Sequence, residues 1–164
     1  MGDSETPVWG CVADNAASLI PENPYRAQTG KPRLLIVGAG MMGREHLRVT
    51  QRLGWAEVQG IVDPFNGSIE WAQSDWALLS SQPLQVYADL REACLDSAVD
   101  AIVICSPNHT HYNVLQIVRE SGKPILLEKP MATTLADAME VVRLASEYPS
   151  VIQLGMQYRF KAQY

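Results

Sequence analysis

Four consecutive apolar residues, Leu34-Leu35-Ile36-Val37, run without a polar break into Gly38-Ala39-Gly40-Met41-Met42-Gly43. Met42, His46, Val49 and Leu53 then follow at i, i+4, i+7 and i+11, the spacing of one helix face. A buried strand, a glycine turn and a helix in that order leave few folds open. The run does not alternate with polar residues, so the strand expects cover on both faces. Glycines let the turn be tight and let a ligand approach its backbone closely.

The same grammar repeats down the chain. Val58 to Val62, Gln85-Val86-Tyr87, Ala101 to Cys105, Ile125 to Leu127 and Val151 to Leu154 read as further strands. Helices are expected between them: over Ser68 to Leu79, from a cap at Asp89 through Leu95, and on His111, Val114, Leu115 and Val118, ending at Gly122. Thr134 with Asp137 forms a cap for a last helix that carries Leu135, Ala138, Met139, Val142 and Ala145. Strand and helix in turn, with apolar strands, predict an α/β fold: a doubly wound parallel sheet of the Rossmann type. In such a sheet, ligands bind beyond the carboxyl ends of the strands.

Composition excludes several classes. Of the 164 residues 47% are hydrophobic and 19% charged, as in a folded chain with its own core. The net charge of −5 and the lack of a basic tract argue against a nucleic-acid partner. No run approaches the roughly 18 apolar residues of a membrane span. Met1-Gly2 to Thr6 formally matches an acylation pattern, but Asp3 and the missing basic patch weaken it. Cys11, Cys94 and Cys105 are three, without C-x-x-C spacing, which suits a reducing, cytoplasmic setting. His109 and His111 lack further ligands at metal spacing, so no metal is expected. Residues 1–30, with Pro7, Pro21 and Pro24, read as an N-terminal extension with a short helix around Asn15 to Ile20.

The glycine cluster is a G-x-G-x-x-G in its required setting, strand before and helix after. Gly38 permits the turn, Gly40 the approach of a pyrophosphate, and Gly43 close packing of helix on strand. Asp63 closes the second strand about twenty residues later, where a carboxylate accepts hydrogen bonds from an adenosine ribose. Residues 64–68 contain no arginine or lysine for a 2′-phosphate, which favours NAD over NADP. S-adenosylmethionine, which uses similar glycines, remains the rival ligand. After the fourth strand, Ser106-Pro107-Asn108-His109-Thr110-His111 would cross the nicotinamide half. His111 reads equally as a core residue and as a site residue. Glu128 and Lys129 follow the fifth strand at the same edge.

These motifs together resemble one family. The glycine loop, Asp63, the Ser106 to His111 stretch and Leu127-Glu128-Lys129-Pro130 are similar to the glucose–fructose oxidoreductase, inositol dehydrogenase and MocA family (Gfo/Idh/MocA). Met131 to Val142 and the terminal Met156 to Phe160 look like it too, and the likeness covers about Arg33 to Tyr164. The resemblance implies an NAD(P)-linked oxidoreductase acting on sugars, cyclic polyols or related carbonyls. It implies that Gly38, Gly40, Met41, Met42 and Gly43 hold the pyrophosphate and Asp63 the adenosine ribose. Ser106, Pro107, Asn108 and His111 would line the central and nicotinamide regions, and Glu128 would meet the nicotinamide ribose. Lys129 would be the catalytic ammonium beside the reacting carbon, stabilising alkoxide character there.

The resemblance also sets out a departure. Family members continue into an α+β substrate domain with a D-x-x-x-H helix, and none of the three histidines here occupies such a motif. The expected layout is therefore an extension at 1–30, a dinucleotide-binding domain at 31–156, and the start of a truncated substrate domain at 157–164. Sugar or polyol turnover would then need a second half, in an oligomer or from a partner. The alternative is a non-catalytic module that holds NAD(H) as a sensor or interaction domain.

Overall fold

The computed structural model describes residues 30–160. The extension, the short helix expected in it, Cys11, the acylation pattern and residues 161–164 lie outside the described residues. Within them, five strands form one parallel sheet in the order β2-β1-β3-β4-β5. These are β1 (Arg33–Val37), β2 (Glu57–Val62), β3 (Ala101–Ile104), β4 (Ile125–Leu127) and β5 (Ile152–Leu154). The helices are α1 (Met41–Leu53), α2 (Asn66–Ala77), α3 (Leu90–Leu95), α4 (His111–Val118) and α5 (Leu135–Glu147).

Successive side chains of a strand point to opposite faces, so a strand buried on both sides feeds two cores. Leu35, Val37, Ile102, Ile104, Ile125 and Leu127 pack with Ala93 and Cys94 of α3, Leu115 of α4, and Val141 and Leu144 of α5. Ile36, Ile61 and Val103 pack instead with Leu47 of α1 and with Ala72 and Trp76 of α2. The expected doubly wound arrangement is the one observed. Among the described residues, no helix is long and apolar enough to cross a membrane.

Local chemistry sets the helix ends. The Asp89 carboxylate accepts the Glu92 N–H at 2.9 Å, and the Thr134 hydroxyl oxygen accepts the Asp137 N–H at 3.1 Å. α1 ends at Gly54, whose φ of 65° brings its N–H back to the Thr50 carbonyl at 3.0 Å. At the amino ends of β1 and β3, the Arg33 guanidinium beside Asp100 holds that carboxyl down to about 2.

Three details differ from the sequence reading. The strand expected at Gln85-Val86-Tyr87 is one parallel bridge, Val86 to Ile61. Two ladder bonds form, Ile61 N–H to Gln85 O and Tyr87 N–H to Ile61 O, both 2.9 Å. Leu90 then starts a helix, so the extended run is cut short. The buried face of α1 is Gly43 and Leu47, while Met42, Val49 and Leu53 are exposed. Gly43 must face the strand because the turn leaves no room for a side chain there, and Leu47 follows it at i+4. On α5 the buried pair is Val141 and Leu144, while Leu135, Met139 and Val142 face outward.

Candidate dinucleotide site

From β1 the chain crosses to β2 on one side and later to β3 on the other. The crevice between the carboxyl ends of β1 and β3 is thus the switch point, where ligands of such sheets sit. Gly38 leaves β1 with φ of +95°, a conformation that favours glycine. A Cβ on it would stand 2.6 Å from the Ser106 nitrogen and 2.7 Å from its Cα, so the turn lies directly on the end of β3. The Gly38 N–H donates to the Val62 carbonyl at 2.9 Å, which ties the turn to β2 as well. Two strands therefore fix one loop.

Gly43 completes the packing from the helix side. A Cβ on it would clash with the Gly38 carbonyl oxygen and lie 3.4 Å from Cys105 Sγ. The Cys105 thiol donates to that same carbonyl at 3.2 Å. Burial pushes this thiol far up, with the carboxylates of Glu128 and Asp63 adding to the effect. It stays protonated and acts as a donor to the turn, not as a nucleophile.

Gly40 does the opposite: a Cβ there would meet nothing within 4 Å. Its backbone faces open space, and no side chain caps α1. Asp63 bridges the turn and its own loop. Oδ2 accepts the Ala39 N–H at 2.7 Å, and Oδ1 accepts the Phe65 N–H at 2.8 Å. Each carboxylate oxygen has lone pairs left for a ribose hydroxyl. Around these groups opens a cavity of about 720 Å³, within the size range of small-molecule and cofactor sites. Its walls are mostly apolar.

Gly38, Gly40, Met41, Met42, Asp63, Ser106 and Pro107 line that cavity. Gly43 is buried behind it and Asn108 is exposed in a 3-10 turn. Glu128 and Lys129 lie beyond its wall, at the end of β4. His111 is only 1% exposed. Its Nδ1 stands 2.8 Å from the Pro130 carbonyl and its Nε2 2.9 Å from the Ser106 carbonyl. A ring N–H on either nitrogen thus finds an acceptor, and the imidazole spans the loops after β3 and β4. The Lys129 side chain is exposed and the Lys129-Pro130 peptide is cis.

Sequence reasoning missed part of the wall. Phe65, Ala88, Leu90 and Val114 line the cavity but belong to no motif. Thr110 lines it too, from within the Ser106 to His111 stretch, and its hydroxyl donates to the Pro107 carbonyl at 2.7 Å. His46 is the larger omission. It reads as one member of an apolar face, but its ring reaches the Glu128 carboxylate, 82 residues away. Among the described residues, no three His, Cys, Asp or Glu side chains gather as metal ligands would.

A parallel sheet with a glycine turn on its switch point and an acid at the end of the next strand defines a nucleotide-binding Rossmann domain. Its relatives narrow the class. The model of an oxidoreductase family with an NAD-binding Rossmann fold, Gfo/Idh/MocA, matches residues 32–156, and the chain belongs to that family. It is 36% identical over 134 residues to inositol 2-dehydrogenase of Rhodococcus jostii strain RHA1, covering 80% of this chain and 35% of that protein. A first inositol 2-dehydrogenase of Saccharopolyspora erythraea is 32% identical over 134 residues, 80% of this chain and 39% of the relative. Myo-inositol dehydrogenase from Lactobacillus casei, solved with NAD(H) and myo-inositol, superimposes with a TM-score of 0.72 at 28% identity. That match covers 81% of this chain and 39% of the other. The chain thus spans between a third and two fifths of the length of the relatives it matches.

Proposed function

We propose that this chain binds NAD(H) as the cofactor domain of a dehydrogenase for cyclic polyols or related sugars. One observation carries the reading: the glycine turn is pinned by β2 and β3 while Asp63 is anchored onto it. That arrangement presents backbone N–H groups and a carboxylate to one crevice, as a pyrophosphate flanked by a ribose requires. The inositol dehydrogenases among the relatives support the substrate class. NAD is favoured over NADP because Asp63 repels a 2′-phosphate and residues 64–68 offer no cation to it.

The nicotinamide, when bound, supplies hydride exchange with a substrate carbon. The chain's contribution is placement and charge. Ser106 and Pro107 wall the cavity on the β3 side, and Glu128 would receive the nicotinamide ribose. Lys129 would present its ammonium where alkoxide character develops on a substrate oxygen. Its exposure at the ligand edge, next to a Glu128 backbone tied to β3, supports that role.

Titration with NADH, followed by energy transfer from the four tryptophans, tests the proposal. Saturable quenching below about 1 mM is expected. Lys129→Ala should leave that affinity within about threefold, because the ammonium serves the reacting atoms and not cofactor binding. Absence of a saturable signal at about millimolar NADH removes the reading.

A further inference from the structure

Glu128 is met from three directions, by His46 and Gly155 from distant parts of the chain and by the N–H of its neighbour Lys129. His46, from the second turn of α1, donates Nε2–H to Oε1 at 2.9 Å. An ionised carboxylate can only accept, so the shared proton belongs to the ring. The Lys129 N–H donates to Oε2 at 3.2 Å. Gly155, just past β5, faces the same carboxylate: a Cβ there would stand 3.1 Å from Oε2 and 3.2 Å from Cδ. The His46 and Glu128 side chains are 23% and 13% exposed. Largely removed from water, a charge-assisted hydrogen bond is directional and firm.

The backbone on either side of this carboxylate is fixed as well. The Glu128 N–H donates to the Ile104 carbonyl at 2.9 Å, and the Gly155 N–H to the Leu127 carbonyl at 2.8 Å. Only the side chain retains freedom, and His46 removes it. We infer that His46 is a positioning residue which fixes the Glu128 carboxylate for the nicotinamide-side ribose, with Gly155 providing the clearance the fixed carboxylate needs. This rests on the reading above, in which Glu128 meets that ribose. A plain packing link between α1 and β4 would instead affect stability and every ligand alike.

Ligands that differ by the ribose in question separate the two. ADP-ribose and NADH carry it, and ADP does not. In the full chain, His46→Leu is expected to raise the Kd for NADH and for ADP-ribose about tenfold, and that for ADP less than about twofold. His46→Gln, whose amide N–H reaches the same point, should return both to within about threefold of wild type. On a Glu128→Ala background, His46→Leu should add less than about twofold, because its partner is already gone. Retained ADP binding also shows that the variants fold.

Equal losses for all three ligands, unchanged NADH affinity in His46→Leu, or full additivity in the double variant would each overturn the inference. A wild-type chain that binds none of the three fails at the earlier step, and takes the cofactor reading down with it.

Discussion

Gly43→Ala is expected to lower NADH affinity at least about 100-fold and to destabilise the domain by about 3 kcal/mol. The added methyl would land on the Gly38 carbonyl and 2.9 Å from the Gly38 carbonyl carbon. Backbone cannot swing aside as a flexible side chain can. The turn has no retreat either, because the Cβ position of Gly38 already lies 2.6 Å from the Ser106 nitrogen on β3. The Cys105 thiol sits on the same carbonyl from below. α1 must therefore lift from β1, which opens the Leu47 packing and moves the N–H groups at its start. Overpacking costs roughly 1–3 kcal/mol where neighbours can shift, and here they cannot, so the upper end applies. Urea unfolding and calorimetric NADH titration measure both effects. Binding by the variant within about threefold of wild type would contradict the geometry.

Asp63→Asn should cost about 2 kcal/mol of stability and about 30-fold in NADH affinity. Both carboxylate oxygens accept from backbone N–H groups, Ala39 on one side and Phe65 on the other. An amide has a single acceptor oxygen. Whichever way it turns, its NH₂ group faces an N–H, and one donor is left opposed. A hydrogen bond to a charged group contributes roughly 1.5–3 kcal/mol, so the loss of one sets the scale. Affinity falls further because the ribose loses its ionised acceptor. NADPH should lose less than NADH, since the repulsion toward a 2′-phosphate disappears with the charge. The ratio of the two dissociation constants, measured on wild type and variant, reports this directly. An unchanged ratio would separate Asp63 from cofactor choice.

Much of this site is legible before any coordinates. The Gly38 to Gly43 turn is readable because only glycine fits at Gly38 and Gly43, so the packing writes itself into the sequence. The strands are readable because cover on both faces demands unbroken apolar runs. Asp89 and Thr134 announce their helices through capping chemistry alone.

The remainder depends on contacts that sequence order does not encode. α1 carries apolar residues on two sides, so a helical period alone allows either face inward. Gly43 decides it through a carbonyl five residues earlier. Gln85 to Tyr87 has strand composition, but pairs only through Val86 before Leu90 begins a helix. The cavity wall at Ala88, Leu90 and Val114 consists of ordinary apolar residues that any core could use. His46 and Glu128 meet only because the fold brings the start of α1 within side-chain reach of the residue that follows β4.

The imidazole of His111 is wedged between two otherwise separate loops, within hydrogen-bond reach of the Ser106 carbonyl on one and the Pro130 carbonyl on the other. Loops joined in this way share their thermal motion. A guest that stills the Ser106 loop would therefore act on the Lys129 loop as well, and the entropy of ordering both rims would be spent in one event.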